Sequence, residues 1–151
     1  MDRSEKVILT NMCMVYDGYK VLVQNRVDKN WGGLTFPGGH VEKCESFTDA
    51  VIREVFEETG LTISTPQLCG IKQWQHSEDV RYIVLFYKTD KFKGEIKSSS
   101  EGELFWMNLE DFKNSKLAQD MDDMLDIFLN DDKSEFYYYE ENGNKWNYVI
   151  K

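Results

Sequence analysis

The sequence predicts an α/β sandwich built on a mixed sheet, and three features carry that expectation. Runs of β-branched and apolar residues stand before and after a well-bounded helix, and a second amphipathic segment follows them. With 151 residues, 41% hydrophobic and 14% aromatic, the chain holds enough apolar material for one core, so residues 1–151 are expected to form a single domain.

Taken in order, residues 7–16 and 19–24 are apolar and β-branched on either side of Asp17-Gly18, which reads as a β-hairpin. The polar loop 25–33 carries Arg26, Lys29 and Trp31, and leads into Leu34-Thr35-Phe36-Pro37-Gly38-Gly39, where proline and two glycines force a turn. The clearest helix starts at Ser46, because Ser46-x-x-Asp49 is a capping box with the shorter acid. It stops at Gly60, which suits the left-handed position after a helix. Ala50, Val51 and Val55 form its inward face. After Pro66, strands are expected at 68–75, at 80–88 and, beyond a turn near Gly94, at 95–97, with a further short one at 104–107. Leu117, Met121, Met124, Leu125 and Phe128 recur at helical spacing, which predicts an amphipathic helix with Asp120, Asp122, Asp123 and Asp126 on a solvated face. Residues 135–141 and 145–150 flank Asn142-Gly143, the signal for a terminal hairpin over about 134–151.

Charge excludes some partners. Asp and Glu outnumber Lys and Arg by 27 to 18, a net charge of −9, so the field of the whole molecule repels DNA, RNA and anionic membranes. A nucleotide would be repelled too, and an enzyme acting on one needs cations and a few well-placed basic groups. The N-terminal residues lead into no signal-peptide core and no apolar run is long enough to span a bilayer, so a cytoplasmic location is expected. Cys13, Cys44 and Cys69 are odd in number and widely separated, which suits reduced thiols, and with only His40 and His76 beside them a zinc site is not expected.

The chemistry concentrates in one stretch. Gly39 is followed after five residues by Glu45, and after seven more by Arg53-Glu54-Val55-Phe56-Glu57-Glu58-Thr59-Gly60-Leu61. On a helix, Glu54, Glu57 and Glu58 stand at i, i+3 and i+4, so their carboxylates are expected to converge on one face. Like charges so placed repel by roughly a few tenths of a kcal/mol per pair. A hard divalent cation such as Mg²⁺, which takes oxygen ligands, converts that repulsion into binding. Gly38-Gly39 suits a loop whose backbone must come close to the helix.

This pattern resembles the Nudix box of the Nudix hydrolases at every defined position over residues 39–61. Seven fixed positions coincide by accident with a chance of about 10⁻⁸ per starting point. The resemblance implies a Nudix-type α/β/α sandwich with a mixed sheet and a loop–helix–loop. It implies a Mg²⁺ cofactor, replaceable by Mn²⁺, held by Gly39, Glu54, Glu57 and Glu58, and hydrolysis of a nucleoside diphosphate linked to another group. Glu57 is also expected to serve in catalysis. Arg53 is expected to point away from Glu54 and to pair with Glu45, holding loop against helix, and a further acid, Glu101 or Glu103, to assist the attacking water.

Among Nudix enzymes the chain looks most like the MutT-like branch, which cleaves nucleoside triphosphates, 8-oxo-dGTP included, to monophosphate and pyrophosphate. Arg26 matches a basic position that contacts phosphate there. Of Trp31, Phe36, Trp74 and Phe86, any of which offers an aromatic face, Trp31 in its polar loop is the preferred base platform, with Phe36 as a further substrate contact. Asn108 and Asp120 are open choices for reading the base. Another Nudix substrate (a nucleotide sugar, a dinucleotide or capped RNA) and a catalytically silent binding module are the alternatives. The aromatic run Phe136-Tyr137-Tyr138-Tyr139 is expected to cover the domain or a second subunit, making a homodimer plausible on sequence grounds.

Overall fold

A computed structural model describes residues 1–151. Its centre is a long strand, β1 (Lys6–Asp17), which turns at Asp17-Gly18 into β2 (Lys20–Arg26). The expected hairpin is real but short. β1 pairs antiparallel with β2 only at Tyr16↔Val21 and Asp17↔Lys20, and runs parallel to β6 (Val80–Thr89) from Lys6↔Val80 to Val15↔Thr89.

That divergence makes room for the site. Where β2 leaves β1, the segment after β3 (Gly33–Thr35) takes its place along the free edge. The amide of Asn11 donates to Gly39 O, that of Cys13 to Pro37 O, and that of Val41 to Leu9 O. The glycine loop is therefore laid on β1 by backbone hydrogen bonds. A Cβ at Gly38 would stand 2.0 Å from the Asn11 carbonyl oxygen, so only glycine permits this approach.

Helix α1 (Phe47–Thr59) is bounded as its sequence predicts. Ser46 Oγ accepts from the Asp49 amide at 3.0 Å, and Gly60, at φ 81°, donates to Phe56 O. Two short strands follow, β4 (Thr62–Ile63) and, later, β7 (Phe92–Lys93), which pair with each other. The strand expected at 95–97 does not form; the Lys97 amide instead donates to Thr59 O at the end of α1, which removes it from any ladder. The remaining strands are β5 (Gln67–Ser77), β8 (Gly102–Asn108), β9 (Glu135–Glu141) and β10 (Lys145–Ile150). The sheet runs β10-β9-β5-β6-β1-β2-β3, with β8 also on β2, and β9 lies parallel to β5. The terminal hairpin thus extends the sheet, turning through Asn142 and Gly143 in the left-handed region.

Alternation along β1 sends side chains to two cores. Cys13 and Val15 pack with Val51, Val55 and Leu61 beneath α1, while Met12 and Met14 pack with Phe36, Phe86 and Phe128 on the other face. Burying each aliphatic or Phe side chain contributes about 1.5–3 kcal/mol. The second face is covered by α2 (Leu109–Lys113), a turn of helix not anticipated, and by α3 (Met121–Leu129), so the α/β/α layering expected from the sequence is present. The amphipathic helix starts later than its periodicity suggests. Asp120 stands at φ 63°, which no helix continues, and Leu117 lies outside, bridged to Leu34. No helix is long and apolar enough to cross a membrane.

Candidate active site

A cleft of about 1000 Å³ opens between the glycine loop, α1, the β5–β6 face and the terminal hairpin. Gly38, Gly39, Glu54, Glu58, Arg26 and Glu101 line one end. Lys72, Trp74, Asp120, Tyr138 and Trp146 line the other.

At the acidic end, α1 turns Glu54 and Glu58 into the cleft one helical turn apart. The Gly38 amide donates to Glu58 Oε2 at 3.0 Å, and the Gly39 amide to Asn11 Oδ1 at 3.1 Å. A Cβ on Gly39 would come within 2.2 Å of Glu54 Oε2, so glycine keeps that carboxylate reachable. Glu58 is 7% exposed. Burial pushes its carboxyl up to about 7, the Gly38 N–H opposes that, Glu101 adds to the rise, Arg26 lowers it, and Glu54 raises it.

The third carboxylate departs from expectation. Glu57 is 55% exposed in its side chain, lies outside the cleft and accepts from Arg53 Nη1 at 3.1 Å. At about 3.6 residues per turn, Glu57 lies about 60° to one side of Glu54 and Glu58 about 40° to the other, so the cleft that takes Glu54 and Glu58 leaves Glu57 roughly 100° round the helix from Glu58. As the side chains stand, no three His, Cys, Asp or Glu groups enclose a point where an ion would sit. The donors nonetheless fit a hard divalent cation. They are all oxygens, no side chain at Gly39 blocks Glu54, and the charge that burial disfavours on Glu58 is the charge a cation would stabilise.

Arg53 is the hub of this end. Its Nε and Nη2 donate to the two oxygens of Glu45 at 2.7 and 3.0 Å, and Nη2 also to His40 O at 2.9 Å, which ties the loop to the helix as expected. It does not point away from Glu54, however, since Nη1 donates to Glu54 Oε1 at 2.8 Å. A guanidinium carries five N–H donors pointing outward in one plane, so binding Glu45 through Nε and Nη2 leaves Nη1 for the helix acids. The Arg53 guanidinium, with the Glu42 amide, lowers the Glu45 carboxyl to about 2, and Arg53 is itself pushed up by Glu45 and Glu54.

Of the two loop acids, Glu101 lines the cleft, 3.9 Å from Arg26 Nη2, whereas Glu103 on β8 pairs with Asn25 and is exposed outside it. Arg26 also stands 3.9 Å from Asp28, and its guanidinium carbon is 5.8 Å from the Trp31 ring. Trp31 lines the cleft, with Nε1 donating to Gln119 O at 3.0 Å. Phe36 is 2% exposed, stacked on Phe112 and edge-on to Phe128, so it supports the cleft floor and offers no free face for stacking. Phe86 is likewise core, stacked on Phe128. Trp74 is in the cleft, stacked on Tyr82 at 4.4 Å.

The far end contains residues that sequence reasoning missed. Lys72 Nζ lies 3.7 Å from Asp120 Oδ2 and over the rings of Phe136, Tyr138 and Trp74 at 4.9, 5.5 and 5.6 Å. Burial lowers the Lys72 pKa and raises that of Asp120, each partly offset by the other. The solvated face expected for Asp120 is thereby corrected: its left-handed backbone turns it off the helix into the cleft. Asn108 instead caps α2, accepting from the Glu110 amide, and does not line the cleft. Lys72 left no signal in the sequence, but Asn11 did, as a lone amide inside an apolar strand.

The chain is 32% identical over 123 residues to an uncharacterized Nudix hydrolase, YvcI, of Bacillus subtilis, covering 78% of this chain and 76% of that protein. It is 29% identical over 96 residues to an ADP-ribose pyrophosphatase of Methanocaldococcus jannaschii, covering 61% of this chain and 57% of that protein. The crystal structure of a mutator MutT protein from Bacillus halodurans superposes with a TM-score of 0.79 at 25% identity, covering 95% of this chain and 97% of that one. The family model of the NUDIX domain matches residues 8–128, which span the glycine loop, α1, Glu101 and α3, and the chain belongs to the Nudix hydrolase family.

Proposed function

We propose that the chain is a cytoplasmic pyrophosphohydrolase that cleaves nucleoside triphosphates, oxidised purine nucleotides such as 8-oxo-dGTP among them, to monophosphate and pyrophosphate. The observation that carries this reading is one cleft with carboxylates, Glu58 among them buried, at one end and an aromatic, donor-and-acceptor end at the other. Nudix hydrolases generally depend on a divalent metal. Here Glu54 and Glu58, with Glu57 and Gly39 beside them, are the residues to hold Mg²⁺, for which Mn²⁺ would substitute. The cation neutralises phosphate charge and activates water when bound.

The chain's own residues do the rest. Arg53 and Glu45 hold the glycine loop against α1, Arg26 offers a guanidinium to the phosphates, and Glu101 faces Glu58 across the cleft to assist the attacking water. At the far end Lys72 donates and Asp120 accepts, which suits a base edge that sets a carbonyl beside N–H groups, as guanine does.

Product analysis over ordinary and oxidised nucleoside triphosphates with Mg²⁺ or Mn²⁺ tests the reading, with monophosphate and pyrophosphate expected and orthophosphate as first product overturning it. Asp120→Asn should lower kcat/KM for guanine nucleotides about 10-fold more than for cytosine nucleotides, and an equal effect on both removes the base-reading role. A second reading, a diphosphate conjugate such as ADP-ribose, draws support from the M. jannaschii relative and is decided by the same screen extended to nucleotide sugars, dinucleotides and capped RNA. The carboxylates of the box are all in place, which argues against a silent module.

A further inference from the structure

We propose that Asn11 is a substrate-contacting residue, whose side-chain Nδ2 donates a hydrogen bond to a phosphate oxygen of the bound substrate. Asn11 lies in the middle of β1 among apolar neighbours, is 4% exposed and lines the acidic end of the cleft. Its amide orientation is determined by what it touches. Oδ1 accepts from the Gly39 amide at 3.1 Å, and reversing the group would set Nδ2 against that N–H, donor against donor.

With Oδ1 engaged, Nδ2 is buried and has no partner in the protein. Leaving such a donor unmade is costly, so the strand gains nothing structural from the NH₂ half of this side chain. Gly39 needs only the oxygen. A donor cannot ligate a cation, so in a site whose other groups are carboxylates Nδ2 is suited to an oxygen brought in by the substrate. A second buried donor in the same cleft, Arg26 Nε, is also unpartnered. The amide of Gln24 is buried and unpartnered as well but does not line the cleft, so cleft position distinguishes Asn11 and Arg26. Two inward donors among anionic walls are what a polyphosphate chain requires where its oxygens lie away from the metal. Asn11 thus links loop geometry to substrate: the same side chain that receives the Gly39 N–H presents the donor.

This inference rests on the phosphoanhydride hydrolase reading above, and the experiment separates the two. The probe is methylenediphosphonate, a non-hydrolysable pyrophosphate analogue, titrated with Mg²⁺ into ¹⁵N-labelled full-length protein, with Mg²⁺ alone as control. The Asn11 NH₂ resonances, identified by their loss in Asn11→Asp, should shift on adding the diphosphonate beyond any shift from Mg²⁺. Asn11→Asp retains the acceptor for Gly39 but adds a buried carboxylate to an anionic cleft, so its melting temperature should fall at neutral pH while KM rises about 10-fold or more. Asn11→Ala loses both bonds and should raise KM and lower the melting temperature. An unmoved NH₂ signal at saturating diphosphonate, or wild-type KM in Asn11→Asp, overturns the role of Asn11 while hydrolysis by the wild type leaves the function standing. A shifted signal in a protein that hydrolyses no phosphoanhydride supports Asn11 as a phosphate contact and removes the proposed activity.

Discussion

Arg53 Nη1 donates to Glu54 Oε1 at 2.8 Å while its Nε donates to Glu45 Oε1 at 2.7 Å, so one guanidinium joins the loop acid to a cleft acid. Through this link the placement of Glu54 depends on Glu45, eight residues before Arg53. Arg53→Ala should lower kcat about 10- to 100-fold, the range for losing a group that orients metal-site ligands. Arg53→Lys should not restore it, because an ammonium cannot bond both oxygens of Glu45 and still reach Glu54. Steady-state kinetics of the two variants checks this, and near wild-type kcat in Arg53→Lys would show that charge alone suffices.

Glu58 makes the metal-free protein sensitive to pH. Its folded carboxyl titrates near 7 against an ordinary value of 4.5, so between those values the folded state holds a proton that the unfolded state has released. Stability from this group is therefore fully present below about pH 4.5 and is lost as pH rises toward 7. The difference in melting temperature between wild type and Glu58→Gln, measured without metal, should grow across that window in favour of the variant. Saturating Mg²⁺ should shrink it, since a bound cation favours the carboxylate. A constant difference across the window contradicts the assignment.

The two loop acids should separate kinetically. Glu101→Gln should lower kcat about 100-fold, the lower bound for losing a general acid–base group, and Glu103→Gln should stay within a few-fold of wild type, because only Glu101 lines the cleft. Mg²⁺ affinity by calorimetry should be largely kept in Glu101→Gln. Equal activity of both variants would remove the loop from the chemistry.

The terminal hairpin should matter to both fold and substrate. Phe136 is fully buried in the core cluster shared with α3, β9 pairs with β5 from Ile71↔Glu135 to Trp74↔Tyr138, and Tyr138 and Trp146 line the cleft. Ending the chain at Asp132 should lower the melting temperature by more than 10 °C and raise KM, as measured by calorimetry and steady-state kinetics. Light scattering on the full chain tests the further proposal of a homodimer through the exposed β10 edge, where Trp146, Tyr148 and Val149 face solvent. A monomeric mass removes it.

Much of the structure was legible in one dimension. The Ser46 cap, the Gly60 stop, the terminal hairpin and the pairing of Arg53 with Glu45 followed from residues within a few positions of one another or from the family's spacing. Helical and hairpin geometry repeats over so short a span that residue type and spacing determine it. What the sequence left undecided depended on contacts between distant segments. Divergence of β2 from β1 after two paired residues left the edge of β1 that the glycine loop fills. Core packing against Phe112 and Phe128 left Phe36 in the cleft floor with no ring face free for stacking. The left-handed backbone of Asp120 swung its side chain from the outer face to Lys72, and packing left Glu57 outside the cleft while bringing Glu101, not Glu103, into it. Which residues form the box and its helix can be read along the chain, because those relations are local. Which of them share a cleft emerges with folding, because that depends on which strands pair and which side chains the common core buries.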